Sequence, residues 1–299
     1  MSTIISKYLT LLVIVLSIVL GFVLPQVGLL WKPYLTVLLM IFMFSLTLSI
    51  EPSQIVRSIS DYRIVGIGLF TVFVLMPFLS LVSRIFFSPI VYAGTVLAFC
   101  CPSAIATTFW AKVFKGDVAT AMVISVFTNL ISIVTIPVTM LIAVGNTINV
   151  DVAGMMLNLA EIVLIPMAAS FFLRRVIHVD WTRLNKYSSR LELGILALLV
   201  WGSTAPGAAY ALNNLLDFVV LNVFIFALLS SAFVLTHFLM RRFGRQKTIS
   251  IEIATIVKNA ALSLVLGLTA FGPDVLPPLI ANLVAQNLLL VLVKALNKE

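Results

Sequence analysis

Long apolar runs follow one another along this chain with only brief polar breaks between them. Ten can be marked, at residues 8–24, 33–50, 64–86, 90–114, 118–144, 153–177, 189–212, 218–243, 247–271 and 276–296. A helix rises 1.5 Å per residue, so about 20 apolar residues cross about 30 Å of hydrocarbon, and each run is long enough to do so. Strands of about ten residues with alternating polarity, the signature of a transmembrane barrel, are missing. The pattern therefore predicts an all-α polytopic membrane protein with ten transmembrane helices. The breaks are too short to hold a soluble domain.

Composition sharpens this picture. The 299 residues are 62% hydrophobic and only 10% charged, and the mean hydropathy is +1.18. A soluble domain of this size needs more polar surface than that. The net charge of +8 would suggest nucleic acid as a partner in a soluble protein, but here the basic residues sort by loop. One set of loops and ends carries Lys7, Arg57, Arg63, Lys112, Lys115, Arg174, Arg175, Arg183, Lys186, Arg190, Arg241, Arg242, Arg245, Lys247, Lys294 and Lys298, which is 16 of the 19 Lys and Arg residues. The opposite set carries Lys32 and Arg84, and Lys258 falls inside a run. By the positive-inside rule, both termini are expected in the cytoplasm of a cell bounded by a plasma (inner) membrane, which requires an even number of spans. The run after Lys7 lacks a small-residue cleavage site and is expected to be a first span, not a removed signal peptide.

Ten spans divide into two halves of five, 1–145 and 146–299, and an odd number per half inverts the second in the membrane. This is the inverted-repeat plan of many secondary transporters. Both halves carry an interruption at mid-depth, near "CCPSAIATT" (100–108) in the fourth run and near "VKNAALS" (257–263) in the ninth.

Polar groups at membrane depth are costly, so they are the candidate site. Pro102 removes a backbone donor and frees carbonyls near residue 98, beside the hydroxyls of Ser103, Thr107 and Thr108. Such oxygens suit a sodium ion, and a helix N-terminus at the break suits an anionic substrate group. Back-bonding to the preceding turn is the structural alternative for each hydroxyl. In the fifth run Ser125, Thr128 and Ser132 share a helix face, with Asn129 beside them. Glu161 lies in the sixth run, and Glu252, Lys258 and Asn259 lie in the ninth. Lys258 stands eleven residues beyond Lys247, about 16 Å of helix rise, too deep to snorkel. It is expected to pair with Glu252 or Glu161. His178 and His237 fall at span ends and are read as interfacial. The adjacent Cys100 and Cys101 point in different directions on a helix and are read as packing residues, not a disulfide or metal pair.

At these positions the chain resembles the bile acid:sodium symporter family. "PYLTVLLMIFMFSLTLSIEPSQI" (33–55) is similar to its second span. "CCPSAIATTFWAKVFKGDVATAMVISVFTNLIS" (100–132) is similar to its fourth and fifth spans, and "ISIEIATIVKNAALSLVLG" (249–267) to its ninth. The resemblance implies a panel domain and a core domain, with spans four and nine unwound and crossing in the core. It also implies sodium-coupled uptake of organic anions, either bile acids or small carboxylates. Thr107, Thr108 and Ser125 match the family's first sodium site, where Ala121 replaces a hydroxyl residue. The glutamate shared by both family sites corresponds to Glu252 if two residues are inserted after it, and to Ala254 without a gap. The glutamine of the second site corresponds to Lys258, and its partner on the third span to Val72. The second sodium site is thereby lost, and a residual one is left at Thr107, Thr108, Ser125 and Glu252. Lys258 could then serve as a built-in cation.

The resulting expectation is a secondary active transporter of a small organic anion, working by alternating access with Na+ or H+ as coupling ion. Its partners would be the substrate and the bilayer, with no nucleic acid and no other cofactor. No phosphate-binding G-x-x-x-x-G-K-[ST] loop is present. An arsenite-efflux permease with a similar "KGD" turn would be expected to carry a cysteine where Ser103 stands. An auxin-efflux-type carrier would hold its "CPSA"-like motif in the other half. An intramembrane hydrolase would need a Ser–Lys dyad such as Ser103 with Lys258, and an enzyme is not the expectation.

Overall fold

The computed structural model describes residues 2–48, 61–177 and 181–296. Arg57, His178 and Lys298 lie outside the described residues. Its principal helices are α1 (Ser2–Val23), α2 (Leu35–Leu48), α3 (Tyr62–Phe70), α4 (Pro89–Cys100), α5 (Thr107–Val113), α6 (Val118–Val144), α7 (Val152–Val176), α8 (Trp181–Thr204), α9 (Leu215–Met240), α10 (Arg245–Ile256), α11 (Ala260–Phe271) and α12 (Leu276–Leu296). Among the described residues there is no strand, only an isolated bridge between Ser103 and Lys258. Among the described residues, six helical stretches are long and apolar enough to cross a membrane: Pro25–Leu48, Tyr62–Ile85, Val118–Val144, Val152–Val176, Leu215–Met240 and Pro273–Ala295. The chain is an all-helical, multi-pass membrane protein.

Local chemistry sets the helix ends. Asp117 caps α6, its carboxylate accepting from the backbone N–H of Ala119 at 3.0 Å and from the Thr120 hydroxyl at 2.8 Å. Asp151 caps α7 by accepting from Gly154 N at 2.9 Å. Such caps satisfy donors that no preceding turn can reach. Cys101 precedes Pro102, whose ring disfavours the helical conformation in the residue before it. Cys101 is accordingly extended, at φ −61° and ψ 150°, and α4 stops at Cys100. The run at 90–114 is thus split into α4 and α5, and that at 247–271 into α10 and α11, as the interruptions predicted. The seventh run departs from expectation. The apolar run spans 189–212, but α8 begins at Trp181 and ends at Thr204, where Pro206 turns the chain through a short 3-10 segment. Hydropathy marks where a helix is oily; it does not mark where helix hydrogen bonding begins.

Two environments separate the helices. Val91–Cys100 of α4 and Ala260–Leu268 of α11 are buried on every face. They sit within a shell that includes α12, and a side chain at Gly94 would collide with Pro278 and the Val275 carbonyl. The outer helices α1, α7 and α9 instead present broad apolar surfaces, with Leu216 at 76% and Phe172 at 69% exposure. Side chains this apolar and this exposed require lipid as their solvent. The two interrupted segments are therefore held inside protein, where irregular backbone is tolerated at membrane depth.

Candidate transport site

The two breaks satisfy each other. Ala104 N donates to Val257 O at 2.9 Å, and Asn259 N donates to Pro102 O at 2.8 Å. An unpaired backbone group at this depth costs several kcal/mol, so neither break is stable without its partner. Around this junction the structure gathers most of the expected polar residues. Asn129 on α6 donates to Ser103 O at 2.9 Å and to Ser125 O at 2.7 Å. Its carbonyl oxygen faces Asn259 Nδ2 at 3.3 Å. Thr128 Oγ1 accepts from Ser103 N at 3.2 Å. The hydroxyls of Ser103 and Thr107 lie 2.9 Å apart, and those of Thr107 and Ser125 both donate to Ala104 O. Asn259 also caps α11, accepting from Leu262 N at 3.2 Å, and its amide reaches Met43 Sδ on α2 at 3.7 Å. One buried knot thus joins α2, α5, α6 and both breaks.

Three expected residues are placed differently. Thr108 is half-buried and donates only to Ile105 O, one turn back. Glu161 is exposed on α7. Glu252 is buried, but its carboxylate meets His237 Nδ1 at 2.7 Å and so leaves the knot. The predicted ion pair of Lys258 with Glu252 or Glu161 is not the one formed, because hairpin geometry decides the partner instead. The chain reverses at Gly244, with φ +88°, and residues about equally far from that turn on α9 and α10 come together. His237 and Glu252 are such a pair; Met240 and Thr248 are another, bonded at 2.9 Å. His237 therefore holds a buried carboxylate, a role its interfacial position did not suggest.

Lys258 is among the largest fully buried side chains, at 1% exposure. Its ammonium donates to Val72 O at 3.4 Å, and its backbone N–H donates to Gln286 Oε1 of α12 at 2.9 Å. The Val72 carbonyl is available for a definite reason. α3 continues through a π-turn at Thr71–Leu75 into Met76–Ser80. Within it, the Met76 N–H goes to Thr71 O and not to Val72 O. The next candidate donor would be residue 77, which is a proline and has none. The lysine takes the carbonyl that the π-turn and Pro77 leave over. A Thr255–Thr71 hydroxyl contact at 2.9 Å fastens α10 to the same turn. Pro77 inside an apolar run was the overlooked signal. So was the i, i+4 pair Asn282 and Gln286 on one face of α12. Asn282 is fully buried, with neither side-chain polar atom hydrogen-bonded.

This geometry separates the two threonines. Thr107→Val removes a hydroxyl shared with Ser103 and Ala104, whereas Thr108→Val removes one that only bonds back along its own helix. Uptake by Thr107→Val should fall about tenfold or more, the cost of one buried hydrogen bond in the working state, while Thr108→Val stays near wild type. Equal losses, measured as initial rates at matched expression, would contradict the placement.

A multi-pass helical protein with two mutually bonded helix breaks around a buried polar knot has the build of a membrane transporter. Residues 36–211, more than half of the chain, match the family model described as the Sodium Bile acid symporter family, and the chain belongs to that family. It is 25% identical over 207 residues to a Bacillus subtilis (strain 168) protein, Uncharacterized protein YbaS, covering 67% of each chain. It is 23% identical over 184 residues to the Probable sodium/metabolite cotransporter BASS1, chloroplastic, of Arabidopsis thaliana, covering 60% of this chain and 45% of that one. Over 265 residues it is 22% identical to the Uncharacterized sodium-dependent transporter YocS of Bacillus subtilis (strain 168), covering 87% of this chain and 81% of the relative.

Proposed function

We propose that this protein is a secondary active transporter that carries a small organic anion across the plasma membrane by alternating access. In this reading ten spans form two inverted repeats, 1–145 and 146–299. α4 with α5, and α10 with α11, are the broken helices four and nine. The observation that carries it is the junction itself, where Ser103 and Lys258 are bridged and the polar knot surrounds them. The positive N-terminal end of α11 and the ammonium of Lys258 both lie here, and both favour an anionic group.

Coupling to sodium is supported by the relatives' descriptions and by the oxygen-rich knot of Ser103, Thr107, Ser125 and the Ala104 carbonyl, since hard cations prefer oxygen ligands. Lys258 acts as a built-in cation where the family has a second sodium. It sits directly after the C-terminus of α10, whose partial negative charge favours a cation, and it satisfies the spare Val72 carbonyl. Among the described residues its positive charge is held by dipoles, without a carboxylate.

Uptake of labelled carboxylates and bile acids into proteoliposomes, with and without an inward sodium gradient, tests this reading. Accumulation above equilibrium that collapses with the gradient is the expected result. Accumulation independent of sodium would end the coupling, and equilibration without counterflow would make the protein a channel. The membrane orientation has its own test. A cysteine introduced at Arg245 should be labelled only from the cytoplasmic side and one at Arg84 only from outside; the reverse pattern would invert the topology.

A further inference from the structure

At the basic end of the molecule, α9, α10 and α12 and the turn after α5 enclose a cavity of about 730 Å³. This falls within the range of small-molecule sites. Its apolar lining combines the half-buried Phe233, Ile249 and Val293 with the buried Ile253, Ile256 and Leu290. Lys115, Arg241, Arg245 and Lys294 also line it. The positive-inside rule explains why basic residues lie at this end. It does not require four of them to converge on one concave apolar surface.

Local structure positions the Lys294 and Arg241 side chains and the Lys115 backbone. Lys294 donates to Val113 O at 3.1 Å and stands over the Phe114 ring at 5.3 Å. Arg241 stands over the Phe238 ring at 5.6 Å. Lys115 is held in a left-handed conformation, φ 61°, by the turn that docks on α10. In that turn Asp117 N donates to Gln246 O at 3.1 Å, and Ser250 donates to Asp117 O at 2.7 Å. Among the described residues Glu252 is the sole carboxylate in the lining, and His237 holds it. Among the described residues, Lys115, Arg241 and Arg245 have no carboxylate partner. The cavity therefore carries excess positive charge over an oily floor. A small hydrated anion would satisfy the charge but not the floor, and a neutral hydrocarbon the reverse.

We propose that this cavity is a second binding site, for an amphipathic anion whose carboxylate or phosphate head meets Arg241, Arg245 and Lys115 and whose hydrocarbon body lies on Phe233, Ile249 and Val293. It shares none of Ser103, Thr107, Ser125, Thr128, Asn129 or Asn259 with the transport knot, and it stands whether or not the transport reading does. Two sources carry this chemistry, an anionic membrane phospholipid and a soluble fatty-acid-like anion.

The test uses the full chain in nanodiscs and in detergent. Native mass spectrometry counts retained phosphatidylglycerol against phosphatidylcholine, and calorimetric titration measures decanoate. Selective retention of phosphatidylglycerol identifies the lipid as occupant, and saturable decanoate binding identifies the soluble anion; either supports the site. Arg241→Gln with Arg245→Gln should weaken the binding about tenfold or more, as expected for loss of two charge-assisted contacts. Glu252→Gln, which keeps shape and removes the opposing charge, should tighten it. Thr107→Val should leave it unchanged. Retention no greater than that of phosphatidylcholine together with no decanoate binding, or binding indifferent to both the arginine and the glutamate variants, would overturn the proposal. So would loss of binding in Thr107→Val, since the cavity would then not be a separate site.

Discussion

Asn129→Leu should nearly abolish uptake and lower the melting temperature of the purified protein. Its amide donates to Ser103 O, a carbonyl of the interrupted segment, and its oxygen receives Asn259 from the opposite break. Leucine fills a similar volume but leaves a buried carbonyl and one N–H of a buried amide without a partner, at about 1–3 kcal/mol each. That sum corresponds to a loss of about 30-fold or more in the population of the assembled junction. Asn129→Asp keeps the acceptor for Asn259 but loses the donor, and should fall between the two. Initial uptake rates and thermal melts at matched expression check both. A leucine variant with full uptake would show that the knot is packing and that the working residues lie elsewhere.

Lys258→Met should separate stability from function. The ammonium is buried, and among the described residues its side chain contacts a carbonyl but no carboxylate. An uncompensated buried charge costs several kcal/mol, and an apolar residue of similar volume is often neutral or stabilising in its place. The melting temperature should therefore hold or rise, while uptake falls about tenfold or more if the charge stands in for an ion. Lys258→Gln introduces a neutral oxygen ligand and should make uptake more steeply dependent on sodium. Unchanged uptake in the methionine variant would reduce the lysine to a structural donor for Val72.

Much of the helical frame was legible in hydropathy. The runs at 118–144 and 276–296 coincide with α6 and α12, and Pro102 announced the end of α4 through its effect on Cys101. Of the proposed site residues, Ser103, Thr107 and Asn259 lie on, or one turn from, an interruption that the sequence marks, and Ser125, Thr128 and Asn129 come to them from the unbroken α6. The partner of Lys258 was not legible. A carbonyl has no letter in the sequence, and its availability depended on a π-turn and on Pro77 together. The partner of Glu252 was missed for another reason: an acid at depth suggested a lysine at depth, whereas its pairing followed from distance to a turn at Gly244. Charge complementarity selects among neighbours, and hairpin register decides which residues are neighbours.

The junction between the two breaks is made by main-chain atoms, Ala104 to Val257 and Pro102 to Asn259. Peptide groups are the same whatever side chain they carry. A joint built from them leaves the nearby side chains free to diverge without dismantling it. A protein lineage with such a joint could exchange a neutral side chain for a charged one at position 258 while inheriting the architecture intact.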